Sequence, residues 1–147
     1  QTYDDFTVKT ISVSNNGIDG NFNIEKDLEI HIHVHSHKNF SLININLFFN
    51  TNEGSLIFAT CSKAEFHHIG EYLYKCIVPA NTLNDNTYLI DIMVVENREK
   101  PLLHIKDIMS IEGVESKRDG SWMGKFPGLV RPTTYFWEKL TISNENF

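Results

Sequence analysis

Histidines recur at every second position of one short stretch of the chain. They are His31, His33, His35 and His37. On a β-strand, side chains two positions apart point to the same face, with Cβ atoms about 7 Å apart. Neutral imidazole is a common ligand of zinc and iron, so His31 and His33 have the spacing to share one ion in a barrel-type site. A third ligand would then come from a histidine or glutamate of a neighbouring strand.

The residues around the histidines also allow a simpler interpretation. Cupin enzymes use a His-x-His of this kind followed by a nearby glutamate and flanking glycines, whereas Ser36, His37, Lys38 and Asn39 follow here. The same alternation is typical of the hydrated row of a half-buried strand. We therefore expect no metal site and no cofactor, and we keep a cupin-like metal enzyme as the alternative.

Sequence signatures of nucleophilic and nucleotide chemistry are missing. The chain has no Gly-x-Ser-x-Gly elbow and no active-site pattern around Cys61 or Cys76. Gly120 and Gly124 have the wrong spacing for a phosphate-binding loop, and the lysine after them precedes Phe126 rather than Ser or Thr. We expect a protein that is not an enzyme.

Amide side chains form the polar row of the next predicted strand. If that strand lies beside the histidine strand, amides and imidazoles share one face, with a carboxylate close by. Such groups match sugar hydroxyls, and an aromatic ring stacks on the C–H face of a sugar. The sequence thus predicts a glycan-binding site built from His31, His33, Asn44, Asn46, Asp91 and Trp122.

Several other bulky or reactive side chains have a structural interpretation. Burial in the core explains Trp122 as well as sugar binding does. For Tyr72 and Tyr74, on one face of one predicted strand, core packing is the better explanation. We expect Cys61 and Cys76 to be buried thiols, because two cysteines are far too few for a disulfide scaffold.

Period-two hydropathy runs through most of the chain. Seven segments are predicted as strands: 6–13, 28–35, 41–50, 55–61, 72–78, 88–95 and 105–114. Turn-forming clusters separate them, and no long segment has helical periodicity. A long loop is predicted over 115–127, and a last strand between Tyr135 and Ile142. We predict an all-β fold, an antiparallel β-sandwich of the jelly-roll or immunoglobulin-like kind.

Length and charge limit the function classes. A chain of 147 residues is about the size of one domain, so we expect residues 1–147 to form a single sandwich. Its net charge of −6 disfavours a nucleic-acid partner. No apolar run is long enough to cross a bilayer. The chain begins with Gln1, and we expect it to be a piece excised from a longer protein.

Short motifs in a fixed order carry a resemblance to a known family. They are Val78-Pro79, Leu83, Asn84-Asp85-Asn86, Tyr88-Leu89-Ile90, the run from Ile108 to Val114, Gly128-Leu129-Val130-Arg131-Pro132 and Trp137. This order resembles the C-terminal domain of polysaccharide-exporting ABC transporter ATPase subunits of the Wzt type. Asp85-Asn86 departs from the glycine that the family commonly has before the tyrosine.

The resemblance implies a function as well as a fold. In that family the domain follows an ATP-binding domain and recognises the finished glycan before export. It implies binding of the terminus of an O-antigen or related polysaccharide, at the cytoplasmic side of the inner membrane. The implied partners are the nucleotide-binding and transmembrane subunits of the transporter and a second copy in a homodimer with strand exchange. A structural dimerisation domain remains a further alternative.

Overall fold

Ten β-strands make up the regular structure in the described part of the chain. The computed structural model describes residues 2–3, 5–15, 21–115, 128–130 and 137–140. The strands are β1 (Thr2–Tyr3), β2 (Phe6–Ser14), β3 (Asn21–Asn23), β4 (Leu28–Ser36), β5 (Phe40–Asn50), β6 (Leu56–Cys61), β7 (Glu65–His67), β8 (Gly70–Val78), β9 (Thr87–Glu96) and β10 (Lys100–Val114). Within these ranges, no helix is long and apolar enough to span a membrane.

The strands form two sheets. The small sheet has the order β1-β2-β4-β8, and the large sheet has the order β3-β10-β9-β5-β6, with β7 also paired to β5. All pairs are antiparallel except β3 with β10. The predicted all-β sandwich is therefore confirmed. The seven predicted strands are present, and the short strands β1, β3 and β7 escaped prediction because two or three residues show no periodicity.

The core lies between the two sheets. On β4, β5 and β9 alternate apolar side chains are buried and face the opposite sheet: Leu28, Ile30, Ile32, Val34, Ile43, Ile45, Leu47, Phe49, Tyr88, Ile90, Ile92 and Val94. Each large apolar side chain contributes about 1.5–3 kcal/mol when fully buried. Only residues 37–39 separate β4 from β5, so the chain passes from the small sheet to the large one in a single short turn.

A buried tyrosine anchors a distant segment at one corner of the sandwich. The Tyr88 hydroxyl accepts a hydrogen bond from the Asn84 N–H at 2.8 Å and lies 2.7 Å from the Leu129 carbonyl oxygen, to which it donates. The Asn84 side chain donates to the Gly128 carbonyl at 2.7 Å. Burial raises the pKa of Tyr88, so its hydroxyl keeps its proton. These bonds fix residues 128–130 against the body of the domain.

Gly113 completes the same corner. Its N–H donates to the Asn86 carbonyl at 2.9 Å. A Cβ at this position would lie 2.6 Å from the Asn84 carbonyl oxygen and 2.8 Å from Ile24 Cγ2. Motifs that carry the family resemblance thus meet at one place, where they hold backbone segments together.

The two cysteines differ in orientation. Cys61 is exposed, so the prediction that it is buried is wrong. It pairs with Asn46 of β5, whose side chain points away from the core. Cys76 pairs with the buried Ile30, is half-buried and faces inward. Burial raises the pKa of the Cys76 thiol.

The other predictions for bulky residues have mixed outcomes. Tyr72 and Tyr74 pack against the core, which confirms the structural interpretation. The Tyr74 hydroxyl hydrogen-bonds to Nε2 of the buried His67, and burial raises the pKa of Tyr74 to about 12. Trp122 and residues 116–127 of the predicted loop lie outside the described residues. Residues 137–140 of the predicted last strand are described and form no strand, so that prediction is wrong there.

Replacing Gly113 by alanine is expected to destabilise the domain. The new methyl group meets a backbone carbonyl that cannot rotate away, and such overpacking costs about 1–3 kcal/mol. Urea unfolding of Gly113→Ala measures the change in unfolding free energy. Ser110→Ala, on an exposed position of the same strand, is the control and should stay within about 0.5 kcal/mol of the parent. Equal stability of the two variants would contradict the close approach at Gly113.

Removing the Tyr88 hydroxyl tests the corner separately. Tyr88→Phe keeps the ring but removes one of the two donors to the Leu129 carbonyl, the other being the Asn84 N–H at 3.1 Å, and it removes the oxygen that accepts from the Asn84 N–H, with an expected loss of about 1–3 kcal/mol in unfolding free energy. Tyr72→Phe is the matched control, because its hydroxyl donates to the His68 carbonyl at an exposed site. A loss at Tyr72 as large as that at Tyr88 would contradict a special role for the corner.

Candidate functional site

The predicted glycan site divides between two surfaces. His31 and His33 lie on β4 of the small sheet, and Asn44 and Asn46 lie on β5 of the large sheet. Because the apolar rows of both strands face the shared core, their polar rows point to opposite sides of the molecule. The expectation that imidazoles and amides form one face is wrong.

On the small sheet, histidines alternate with carboxylates of the same and the next strand. His31 Nε2 lies 3.4 Å from Glu29 Oε2, and His33 Nε2 lies 3.3 Å from Glu71 Oε2. Glu71 also accepts a hydrogen bond from Lys9, which is the main reason why the pKa of Glu71 falls to about 2. The polar groups of this face are thus largely engaged with one another.

The distribution of metal-ligating groups bears on the cupin-like alternative. Across the described ranges, no set of three or more His, Cys, Asp or Glu side chains is arranged to hold a metal ion. The Glu71 carboxylate instead lies between the imidazoles of His33 and His35, and its Oε1 is 3.6 Å from His35 Nδ1. What this face offers chemically is ion pairing that strengthens when the imidazoles are protonated.

Three of the predicted residues share the outer face of the large sheet. β5 contributes Asn44, Asn46 and Phe48, and the neighbouring β9 contributes Asp91 opposite Phe48, with Met93 and Val95 opposite the two asparagines. The prediction therefore placed Asn44, Asn46 and Asp91 on one surface, although it paired them with the wrong histidines.

Asp91 shapes this surface through a bulge in β10. Its Oδ1 accepts a hydrogen bond from the Asp107 N–H at 2.8 Å, and its Oδ2 lies 3.9 Å from His104 Nε2. Asp107 has a φ of 50° within the irregular stretch between Ile105 and Met109. The Asp91 side chain is only 14% exposed, so its carboxylate holds the bulge rather than standing open to a ligand.

A shallow groove of about 390 Å³ lies at the β6 side of this face. Its lining is Asn44, Asn46, Cys61, Ser62, Ala64, Val95 and Arg98. Within the described part of the chain, the Asn44 amide makes no hydrogen bond. Asn46 donates to the Met93 carbonyl at 3.3 Å, and no described residue donates to its own carbonyl oxygen. The Ser62 oxygen accepts from the Ile45 N–H, and its hydroxyl has no acceptor among the residues that the structure describes.

An aromatic pair lies on the same face as the groove. Phe48 follows the two asparagines on β5, and its ring centroid is 6.1 Å from that of His104. The sequence prediction named Trp122 for the stacking role and missed Phe48, because the apolar residue interrupts the polar row of its strand. Only the pairing of β5 with β9, and of β9 with β10, shows that Phe48 and His104 are neighbours.

Arg98 reaches the groove from the turn between β9 and β10. Asn97 and Arg98 have φ angles of 54° and 61°, and the Glu99 N–H donates to the Glu96 carbonyl at 3.1 Å. Positive φ at both central residues is the pattern of a type I′ turn. Sequence reasoning missed Arg98. The available signal was an Asn at the first turn position between two alternating runs, which indicates a hairpin but not where its turn points.

Comparisons with known proteins give a match in structure alone. No family model and no curated protein matches the chain by sequence. The crystal structure of the C-terminal domain of Wzt superimposes with a TM-score of 0.75 at 15% identity, covering 91% of this chain and 84% of that one. A DUF3823 family protein from Bacteroides ovatus gives a TM-score of 0.46 at 10% identity, covering 73% of this chain and 54% of that one. The chain thus has the fold of the Wzt C-terminal domain, as the motifs predicted.

Proposed function

We propose that this domain binds a cell-surface polysaccharide without catalysis, in the groove on the outer face of the large sheet. The observation that carries the proposal is the set of unengaged polar groups in the groove, on a domain with the Wzt C-terminal fold. The Asn44 amide, the Asn46 carbonyl and the Ser62 hydroxyl together offer donors and acceptors to sugar hydroxyls.

The dimensions of the face suit a chain of sugars. From Asn44 to Phe48 the strand rises about 13 Å, which places amides at one end and an aromatic ring at the other. Each hydrogen bond that replaces one to water gains only about 0.5–1.5 kcal/mol. Affinity for a single sugar is therefore weak, and specificity comes from several contacts along the face.

The resemblance supports a place for this binding in export. The ligand that we propose is the terminus of an O-antigen or related polysaccharide, recognised for an ABC transporter. In this proposal the domain works at the cytoplasmic side of the inner membrane, beside the nucleotide-binding and transmembrane subunits, and as a homodimer. Of the predicted site residues, Asn44 and Asn46 contact the glycan, while His31 and His33 lie on the opposite face.

Substitutions on the two faces test where the glycan binds. On an array of bacterial cell-surface polysaccharides, the double variant Asn44→Ala, Asn46→Ala is expected to lose at least tenfold in affinity, because several hydrogen bonds of about 1 kcal/mol each disappear. His31→Ala, His33→Ala is the matched control on the small sheet and should bind as the parent does. Thermal unfolding of both variants checks that the fold survives.

Other outcomes of this experiment favour the alternatives. Loss of binding only in the histidine variant would move the site to the small sheet. Stoichiometric zinc or iron in the purified protein, lost with the histidine variant, would support the metal enzyme. Binding to no polysaccharide, with a dimer weakened by either pair of substitutions, would support a structural dimerisation domain.

Cys61 provides a reporter inside the groove. Because Cys61 is exposed and Cys76 is half-buried with a raised pKa, the reagent DTNB should modify Cys61 first. A saturating polysaccharide found on the array is expected to slow that modification by at least fivefold. Cys61→Ser, which retains Cys76, should lose the fast phase. Equal rates with and without polysaccharide would contradict binding in this groove.

A further inference from the structure

We propose that the ligand of the groove carries a negative charge, a carboxylate or a phosphate group, and that Arg98 binds it. The proposal rests on the proposed function in taking the ligand to be a saccharide. It adds the chemical class of that saccharide, an acidic one.

Arg98 sets the charge of the groove. Of the seven described residues that line it, Arg98 alone is charged, and the others are two amides, a hydroxyl, a thiol and two small apolar side chains. The guanidinium group presents a planar fork of donors that matches a carboxylate or phosphate with two parallel hydrogen bonds. The amides and the hydroxyl beside it are suited to the neighbouring sugar hydroxyls.

The Arg98 guanidinium is available for such a ligand. Within the described ranges it has no carboxylate at ion-pair distance, although Lys9, Lys38 and Lys75 are paired with Glu71, Asp5 and Glu29. The protein as a whole has a net charge of −6, so its general field repels anions. Binding of an anion at this face therefore depends on the local positive charge.

The backbone at Arg98 is a second, independent observation. The second central position of a type I′ turn favours glycine, because a side chain in the left-handed region costs conformational energy. Arg98 occupies that position with a φ of 61°, and the Asn97 N–H ties the turn to the Leu42 carbonyl at 3.0 Å. Strained residues of this kind gather at binding sites, where the side chain compensates for the cost.

Three methyl glycosides that share one sugar ring and differ in the group at C6 test the proposal. Methyl glucoside is neutral, methyl glucuronide carries a carboxylate, and methyl glucoside 6-phosphate carries a phosphate. The side-chain amide resonances of Asn44 and Asn46 report binding by NMR titration. In the parent protein, at least one charged glucoside is expected to bind three- to tenfold more tightly than the neutral one, as for an exposed charged hydrogen bond. The two charged probes show which anion is preferred.

Variants of equal charge make the comparison specific. Arg98→Gln should abolish the preference for the charged glucoside, and Arg98→Lys should retain part of it. Lys26→Gln, an exposed position outside the groove lining, removes the same charge and should leave the preference unchanged. Raising the ionic strength from about 0.01 M to 1 M, which shortens the screening length from about 30 Å to 3 Å, should reduce the preference in the parent.

A glycine at the same position separates strain from binding. Arg98→Gly should raise the melting temperature by about 3 °C, because glycine adopts the left-handed conformation without cost, and it should lose the anion preference. An unchanged or lower melting temperature would contradict the argument from strain.

The remaining outcomes distinguish this proposal from the proposed function. Equal affinity for charged and neutral glucosides in the parent, a preference that survives Arg98→Gln, or no shift with any probe would overturn the acidic ligand. If the array yields only neutral polysaccharides that bind Arg98→Gln normally, the result supports polysaccharide binding and contradicts an acidic ligand. If no polysaccharide binds but the protein prefers the charged probes and this preference requires Arg98, the result supports the anion site and contradicts polysaccharide binding.

Discussion

The packing of two sheets against one core decides on which outer face the polar rows of β4 and β5 lie. In β4 and β5 each apolar row is buried against the opposite sheet, and the polar row of each strand is left on the outside. Only three residues connect the two strands, and the buried positions are even-numbered in β4 and odd-numbered from Ile43 to Phe49 in β5, so each strand presents its apolar row to the shared core. Two outer faces with different chemistry are the result.

Those two faces differ in how their polar groups are satisfied. On the small sheet, imidazoles and carboxylates pair with one another, as Glu71 does with His33 and Lys9. On the large sheet, backbone interactions engage some side chains, such as Asp91 with the β10 bulge, and leave others unengaged in the groove. A face with unengaged amides and hydroxyls exchanges water for ligand hydrogen bonds more readily than a face whose groups are already paired. This difference is why we place the glycan on the large sheet.

The corner around Tyr88 connects the family motifs to the fold. Asn84 and Tyr88 are close in the sequence, whereas Gly113 and the segment 128–130 are distant from them, yet all of these bond to or closely approach one another. Their side chains and backbone groups face inward to each other, away from the groove. These motif residues therefore contribute to how the sandwich closes, and the residues that we propose for ligand specificity lie outside them, among which Arg98 occupies a turn rather than a strand.

By itself, the sequence determined the seven longer strands and the all-β class, because period-two alternation requires one buried and one exposed row. It also indicated that Tyr72 and Tyr74 belong to the core, and through its motifs it predicted the Wzt C-terminal fold. Only the tertiary structure decided which strands are neighbours. Alternation indicates which side of a strand is exposed to solvent, but it does not indicate which sheet contains the strand. For that reason the sequence could not show that His31 and His33 lie on one outer face and Asn44 and Asn46 on the other. Sheet order, strand register and the direction of one turn place three further residues on the face of the asparagines: Arg98, Ser62 and Phe48.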